Sequence, residues 1–389
     1  MFILILFAFL SNLVVFSSIA LSDEGIIWNR FRFSPSLSIS EKYSDNIYLS
    51  NDKKKNDSVT IISPQVAVDF AISPDNNLSI GYNGFYNLYR KLDNFKKEIH
   101  KVGAFWKWIT PKGSLLKVGG SMNFDSIQPY SLQDDHKDFV EKRLFGETAF
   151  EVSTFIDMGM LYDHTVQRFK KSLYKSNDFD RDAMTFRIFY KRLTDITLIT
   201  EYSYFYQNNK DSEGSSADLD SYVVLIGAQW DPSKKLYGHL KSGYYRVNSK
   251  SDIRSSGFAM DTDIGFRLTD IILLNLIVYR RVVTSVRAAR ESGEYYISTG
   301  GGLNVSYSGF NALVFTVNTL YKNNHFKQLI SESDPKRKDD YFDVGLTVKY
   351  AIQKWFSFIT NYHYRVNNST ADEEDYTENR IEAQLRFAF

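Results

Sequence analysis

Apolar and polar residues alternate along almost the whole chain with a period of two, the spacing of a strand that has one dry and one wet face. Val66, Val68, Phe70 and Ile72 alternate with Gln65, Ala67, Asp69 and Ala71. Ile196, Leu198, Thr200, Tyr202, Tyr204 and Tyr206 alternate with Thr197, Ile199, Glu201, Ser203, Phe205 and Gln207. The pattern returns from Tyr222 to Trp230, from Phe258 to Phe266 and from Phe342 to Tyr350. It then runs to the last residue, with Ile381, Ala383, Leu385, Phe387 and Phe389 on one side and Arg380, Glu382, Gln384 and Arg386 on the other. Chain ends usually fray, so alternation kept to the final residue predicts a terminal strand held in a sheet.

The breaks between these segments come in two kinds. Short ones carry turn residues: 73–77, 111–113, 157–159, 193–195, 231–234, 268–270, 308–310 and 352–354. Longer polar ones lie between them: 44–57, 90–97, 126–141, 170–179, 208–218, 248–255, 286–292, 323–338 and 366–375. Short and long breaks alternate, as in a meander whose two rims face different compartments. A soluble sandwich, propeller or β-helix gives no reason for that alternation, and no solenoid repeat is visible. The reading is therefore all-β: a transmembrane antiparallel up-and-down β-barrel with short periplasmic turns and longer extracellular loops. About 18 segments are counted, or 16 if the stretch 120–145 is divided differently.

In lipid every backbone N–H and C=O has to be paired within the protein, so a spanning sheet closes on itself. The last strand is then expected to pair with the first, leaving Phe389 at the periplasmic rim. A one-residue slip of that strand would turn Arg380, Glu382 and Arg386 towards hydrocarbon, at roughly 2–4 kcal/mol for an arginine near the midplane. Trp106, Trp108, Tyr190, Trp230, Phe266, Tyr350, Phe356 and Phe389 all sit beside short breaks, as an aromatic girdle does.

Composition changes the picture little. The 47 basic and 46 acidic residues make no field that would recruit nucleic acid. The chain has no cysteine, which fits an oxidising compartment and excludes a lipid-anchored lipoprotein. Residues 1–20 are apolar and end in Ser18-Ile19-Ala20, which reads as a cleaved signal peptide, although no Lys or Arg precedes the apolar run. Residues 21–389 then form a single barrel domain. Beyond residue 20 the longest apolar run, 271–278, is too short for a spanning helix.

The same register nominates the residues that line the lumen. They are Glu147, Glu151, Asp163, Arg187, Lys191, Glu201, Lys241, Tyr245, Asp261, Asp263, Arg267, Tyr279, Arg281, Asp343, Lys349, Arg365, Arg380, Glu382 and Arg386, with His239, Asn304, Asn361 and His363 beside them. Both signs are present, which argues against strong ion selectivity. Tyr245 and Tyr279 among Asn and Arg suit a sugar slide, since rings stack on pyranose faces while charged groups bond hydroxyls. A generic wet wall whose charges satisfy one another is the plainer reading.

Residues 35–50, "PSLSISEKYSDNIYLS", and 58–68, "SVTIISPQVAV", carry more than alternation. Pro35, Glu41, Tyr43, Asp45, Asn46, Ser63 and Pro64, with Ser36, Leu37, Ile47 and Tyr48, make this opening resemble the putative β-barrel porin family found with bacterial exopolysaccharide export systems. The resemblance implies an outer-membrane barrel acting late in polysaccharide or capsule export. Asp45-Asn46 stands where the first strand meets the first outer loop, suited to an Asx-type turn that fixes this corner.

Partners expected on this reading are outer-membrane lipid and lipopolysaccharide, and the barrel-assembly machinery, which would read Leu385, Phe387 and Phe389 as a C-terminal signal. Polysaccharide and periplasmic export proteins complete the set, and no nucleic acid is expected. No cofactor or metal motif is present, and no enzyme is expected. The six histidines are scattered, and only His136 beside Asp134 and Asp135, and His325 beside Asn323 and Asn324, form local clusters. Acidic loop tips such as 371–375 lack any ordered cation-ligand spacing. General diffusion of small solutes is the alternative to export, and an outer-membrane lipid hydrolase the weaker one.

Overall fold

The computed structural model describes residues 25–389 apart from 93–94, 128–136, 194, 210–217, 231–233, 250–253, 285–294 and 328–336. The nominated signal segment, residues 1–20, lies outside the described residues. The strands begin with β1 (Ile26–Trp28), β2 (Phe31–Ser44), β3 (Asp57–Ser73), β4 (Asn76–Tyr89), β5 (Lys97–Ile109) and β6 (Leu115–Ile127). Next come β7 (Lys137–Ser153), β8 (Ile156–Phe169), β9 (Phe179–Tyr190), β10 (Ile196–Asn209), β11 (Leu219–Trp230) and β12 (Leu236–Ser249). The chain finishes with β13 (Arg254–Thr269), β14 (Ile272–Thr284), β15 (Tyr295–Phe310), β16 (Leu313–Phe326), β17 (Lys338–Gln353), β18 (Phe356–Ser369) and β19 (Tyr376–Ala388).

From β2 to β19 each strand pairs antiparallel with the next, and β19 returns to β2 from Arg380 opposite Ser44 to Ala388 opposite Ser36. This is a closed up-and-down barrel of eighteen strands. The short β1 is additional: it pairs with Phe31–Phe33 of β2 and occupies the stretch of edge that β19 leaves uncovered. The last ladder contact runs from the Phe389 N–H to the Pro35 carbonyl at 3.1 Å. The terminal alternation therefore has the partner that pairing in lipid demands.

Two of the expected short turns are displaced. Residues 157–159 lie inside β8, and the connection before it is Thr154-Phe155. Residues 308–310 end β15, and the turn is Asn311-Ala312, with Ala312 in the left-handed region at φ 65°. In both places a register shift, between Glu151 and Ser153 and between Tyr307 and Phe310, lengthens the strand before it turns. Gly309 belongs to this strand end, and the Tyr307 hydroxyl lies 2.2 Å from where its Cβ would be.

The two faces differ as curvature requires. Side chains crowd on the concave face of a barrel and splay on the convex one. In β11, Ile226 is 63% exposed and the preceding Leu225 only 6%. Leu198, Tyr244, Leu303, Val317, Leu346 and Ile381 are likewise exposed large hydrophobics on the convex face, where an apolar solvent is the one that fits them. At the short-turn rim that face carries stacked rings: Trp106 on Trp108 at 6.2 Å, Phe356 on Phe387 at 4.8 Å and Trp355 on Phe389 at 5.7 Å. No described helix is long and apolar enough to cross a membrane, so any crossing is made by strands.

Candidate functional site

The inner wall holds the chemistry. Strand pairing puts the nominated lumen residues on the concave face, and the structure links many of them in ion-pair networks. The largest network lies on β9 to β13. Arg187 Nε donates to Glu201 Oε2 at 2.9 Å, and Lys241 Nζ reaches the same oxygen at 3.3 Å and Asp261 Oδ2 at 2.7 Å. His239 Nε2 lies 3.2 Å from that Asp261 oxygen, and Asn275 Nδ2 donates to Asp263 Oδ1 at 2.7 Å. Lys241 is bridged to Glu201 across the whole width of β11. Gly227, directly opposite Lys241, puts no side chain in that path, and a Cβ there would come within 2.0 Å of the Leu240 carbonyl oxygen.

A second network runs over the closure of the barrel. Asp343 holds His363 Nδ1 at 2.8 Å and Arg365 Nε at 3.0 Å, and accepts the Tyr341 hydroxyl at 2.9 Å. Arg365 continues to Glu378 Oε2 at 3.4 Å, and the other Glu378 oxygen accepts from Ser44 Oγ at 2.7 Å. Around the rest of the wall, Lys191 pairs with Asp157 at 2.7 Å and Arg143 pairs with Asp163. Glu147, Glu151, Lys349, Arg380, Glu382 and Arg386 share the concave face and form no ion pair among the described residues. Arg281 stands over the Tyr279 ring at 4.6 Å, and Arg267 stands over Tyr237 at 4.4 Å beside the short-turn rim.

Sequence reasoning overlooked several wall charges that obey the same alternation. Arg32 pairs with Asp69 at 2.7 Å and Lys97 with Asp125 at 2.8 Å. Lys107 and Lys117 face each other directly on β5 and β6, and Lys117 Nζ sits over Phe105 at 4.7 Å. The signal was there in the parity of these positions. Arg143 and Asp125 were hidden because both lie in the stretch 120–145, where the strand boundary was unsettled.

Above the network of β9 to β13 the wall turns apolar. Phe205, Val223, Leu225, Tyr245, Ala259 and Tyr279 line a recess of about 300 Å³, with Asp261 and Arg281 at its edge. Tyr245 is 2% exposed, packed with Leu225, Val247 and Ala259, so it forms the floor of the recess more than an accessible face.

The corner marked by the family resemblance forms a clasp. Asn46 is completely buried. Its Nδ2 donates to the Ser50 and Thr377 carbonyls, both at 2.8 Å, and its Oδ1 accepts the Ser50 N–H at 3.2 Å. Asp45 takes the backbone and side-chain N–H groups of Asn379, each at 2.8 Å. Strand β2 is thereby tied to β19 at the outer end, as Phe389 and Pro35 tie them at the other. Tyr43 points outward at 42% exposure, and Glu41 accepts from the Thr60 hydroxyl at 2.7 Å. Ser63 and Pro64 stand opposite Ser38 and Leu37 in the adjoining ladder. In the loop, Tyr48 packs with Val59, Tyr89 and Phe95, and its burial, reinforced by Asp57, pushes the phenol pKa up.

Nothing assembles around the histidine clusters. His136 lies outside the described residues, and no described histidine is hydrogen-bonded to a serine or threonine hydroxyl. Among the described residues no group of three His, Asp or Glu is placed to hold a metal ion.

Breaking the central network is expected to change ion selection. With Lys241→Met, Glu201 and Asp261 lose their shared cation, and the reversal potential across a KCl gradient should move towards cation preference. An unchanged potential would show that these carboxylates do not face the ion path.

The family model described as putative beta-barrel porin 2 matches residues 200–389. The signature at residues 35–64 lies outside that match. No curated protein matches the chain. Among solved structures, OpdO of Pseudomonas aeruginosa aligns with a TM-score of 0.51 at 9% identity, covering 92% of this chain and 97% of that one. The siderophore receptor PirA of the same organism aligns at 0.50 and 6% identity, covering 92% of this chain and 80% of that one. A mutant of its ferric enterobactin receptor PfeA gives 0.50 and 7%, with the same coverages. Such identities speak for the fold alone. With an eighteen-stranded closed wall, an apolar convex face and the match of residues 200–389 to the putative beta-barrel porin 2 model, the chain is an outer-membrane-type β-barrel whose C-terminal part is that of this porin family.

Proposed function

We propose that this barrel is a passive pore in the outer membrane of a Gram-negative bacterium that lets polysaccharide leave the cell. A closed wall of sixteen to eighteen strands encloses a water-filled channel, whereas about eight strands are filled by their own side chains. The observation that carries the cargo is the recess between β10 and β14. It sets an apolar, ring-bearing surface at Phe205 and Tyr279 beside the hydrogen-bonding groups of Asp261 and Arg281. Sugar rings offer the same combination of an apolar C–H face and a polar edge. The N-terminal resemblance to export-associated porins supports the same cargo. The energy for export would come from partners in the inner membrane.

A general diffusion porin is the second reading, favoured by wall charges that satisfy one another around Glu201 and Asp343. Planar-bilayer recordings separate the two. An acidic or neutral capsular polysaccharide should interrupt the current in the wild type. In Tyr279→Ala the blocked dwell time should fall by up to about tenfold, the equivalent of one aromatic contact. Channels indifferent to polysaccharide would favour general diffusion. Closed membranes together with lipid hydrolysis would point to an enzyme.

A further inference from the structure

The convex face is not uniformly oily. On β10 to β12 the rows across the sheet gather tyrosines, and then charged and amide side chains, towards the long-loop rim. The row Leu198–Ala228–Leu240 is followed by Thr200–Ile226–Ser242 and Tyr202–Val224–Tyr244, then by Tyr204–Tyr222–Arg246, and finally by Tyr206–Asp220–Asn248. Tyr222, Val224, Tyr244, Arg246 and Asn248 line an open groove of about 480 Å³ on this face. Tyr244 is 53% exposed, and Tyr204 packs against Tyr222 with ring centres 5.0 Å apart.

Arg246 is the unusual member. It is an exposed arginine on the convex face, which also carries charges such as Arg168 and Asp180, but those two pair with each other. Its Nε donates to Asn248 Oδ1 at 3.2 Å, and Asn248 in turn donates to Asp220 Oδ2 at 2.8 Å. Among the described residues the two terminal guanidinium nitrogens have no partner, and no carboxylate forms an ion pair with them. Five tyrosines surround it within three rows, and rings of this kind settle at the boundary of lipid and water. A guanidinium at that depth, with free nitrogens facing out of the barrel, is matched by a phosphate with bidentate geometry.

We propose that this groove binds the phosphorylated glucosamine headgroup of a lipid A-type lipid in the outer leaflet. Arg246 clamps the phosphate, the ring pair Tyr204 and Tyr222 flanks the sugar, and the exposed apolar strip of Val224 and Ile226 beside Tyr244 takes an acyl chain. Lipid A is chosen over a glycerophospholipid because the site pairs a phosphate clamp with two adjacent tyrosine rings, and the groove lies towards the rim of the long loops. The assignment rests on the outer-membrane reading, with long loops outside.

Binding is measured on the detergent-solubilised full-length barrel by quenching of its intrinsic fluorescence. The probes are bisphosphorylated lipid A, the same lipid with both phosphates removed, and dioleoylphosphatidylglycerol. The wild type should prefer bisphosphorylated lipid A. Arg246→Gln should bind it about fivefold more weakly, the ratio that one interfacial cation supplies. Removing the phosphates should cost the wild type about as much and cost Arg246→Gln nothing further. Heat-modifiable migration on gels shows that each variant is folded. Equal affinity of folded Arg246→Gln and wild type would overturn the site, and so would equal binding of phosphatidylglycerol. Fractionation of wild-type cells tests the outer-membrane reading separately, since recovery outside that membrane would remove its basis whatever the affinities.

Discussion

Replacing Leu346 by arginine is expected to lower the stability of the folded barrel in lipid by about 2–4 kcal/mol, the cost of such a charge near the midplane on a lipid-facing wall. Leu346 lies in the middle of β17, in one row with Val317 and Tyr362, and all three are more than two-fifths exposed on the convex face. The neighbouring Thr347 faces inward, where its hydroxyl donates to Asn361 at 2.8 Å. Thr347→Arg therefore exchanges one wet contact for another and should stay within about 1 kcal/mol of the wild type. Urea unfolding from phospholipid vesicles, followed by tryptophan fluorescence, reads both. Similar losses for the two variants would mean that the convex face is not the one in hydrocarbon.

The second large effect is expected at the clasp. Asn46→Ala deletes three hydrogen bonds at a position with no solvent exposure and strands the Ser50 and Thr377 carbonyls beneath the loop. Each buried polar group left unpaired costs about 1–3 kcal/mol, so a total of about 3 kcal/mol is expected for the variant. The loss falls on the pairing of β2 with β19, which is the one that closes the barrel. It should appear as a lower temperature of conversion from the compact to the unfolded band on gels. Asn46→Asp keeps the acceptor and loses both donors, and should fall between alanine and the wild type. A conversion temperature unmoved in Asn46→Ala would show that the corner is held by other contacts.

Turn positions illustrate the limits of local reading. The short breaks at 111–113 and 193–195 fall between strands, whereas those near 157 and 308 were misplaced by two or three residues. Glycine near aspartate or serine reads as a turn, but Gly159 and Gly309 both lie within strands, and the turns fall at Thr154-Phe155 and Asn311-Ala312. The wall charges show a similar division. Parity alone places Lys241, Asp261 and Glu201 on one face. That Lys241 bridges the other two, past Gly227 with no side chain in the way, is a relation between residues of different strands.

By itself the sequence determined that the chain is a meander of about eighteen strands, which side of each strand is dry, and that the last residue is held in a sheet. Those properties follow from the two-residue period of an extended backbone and from turn chemistry, both of which are local. Only the tertiary structure decided which charges meet and how the barrel is locked shut. Ser44 and Glu378 touch across 334 residues of sequence, and Asp45 and Asn379 across the same span. Closure and the register of eighteen strands bring such pairs together, and curvature then crowds them on the concave side, so no local pattern could have revealed them.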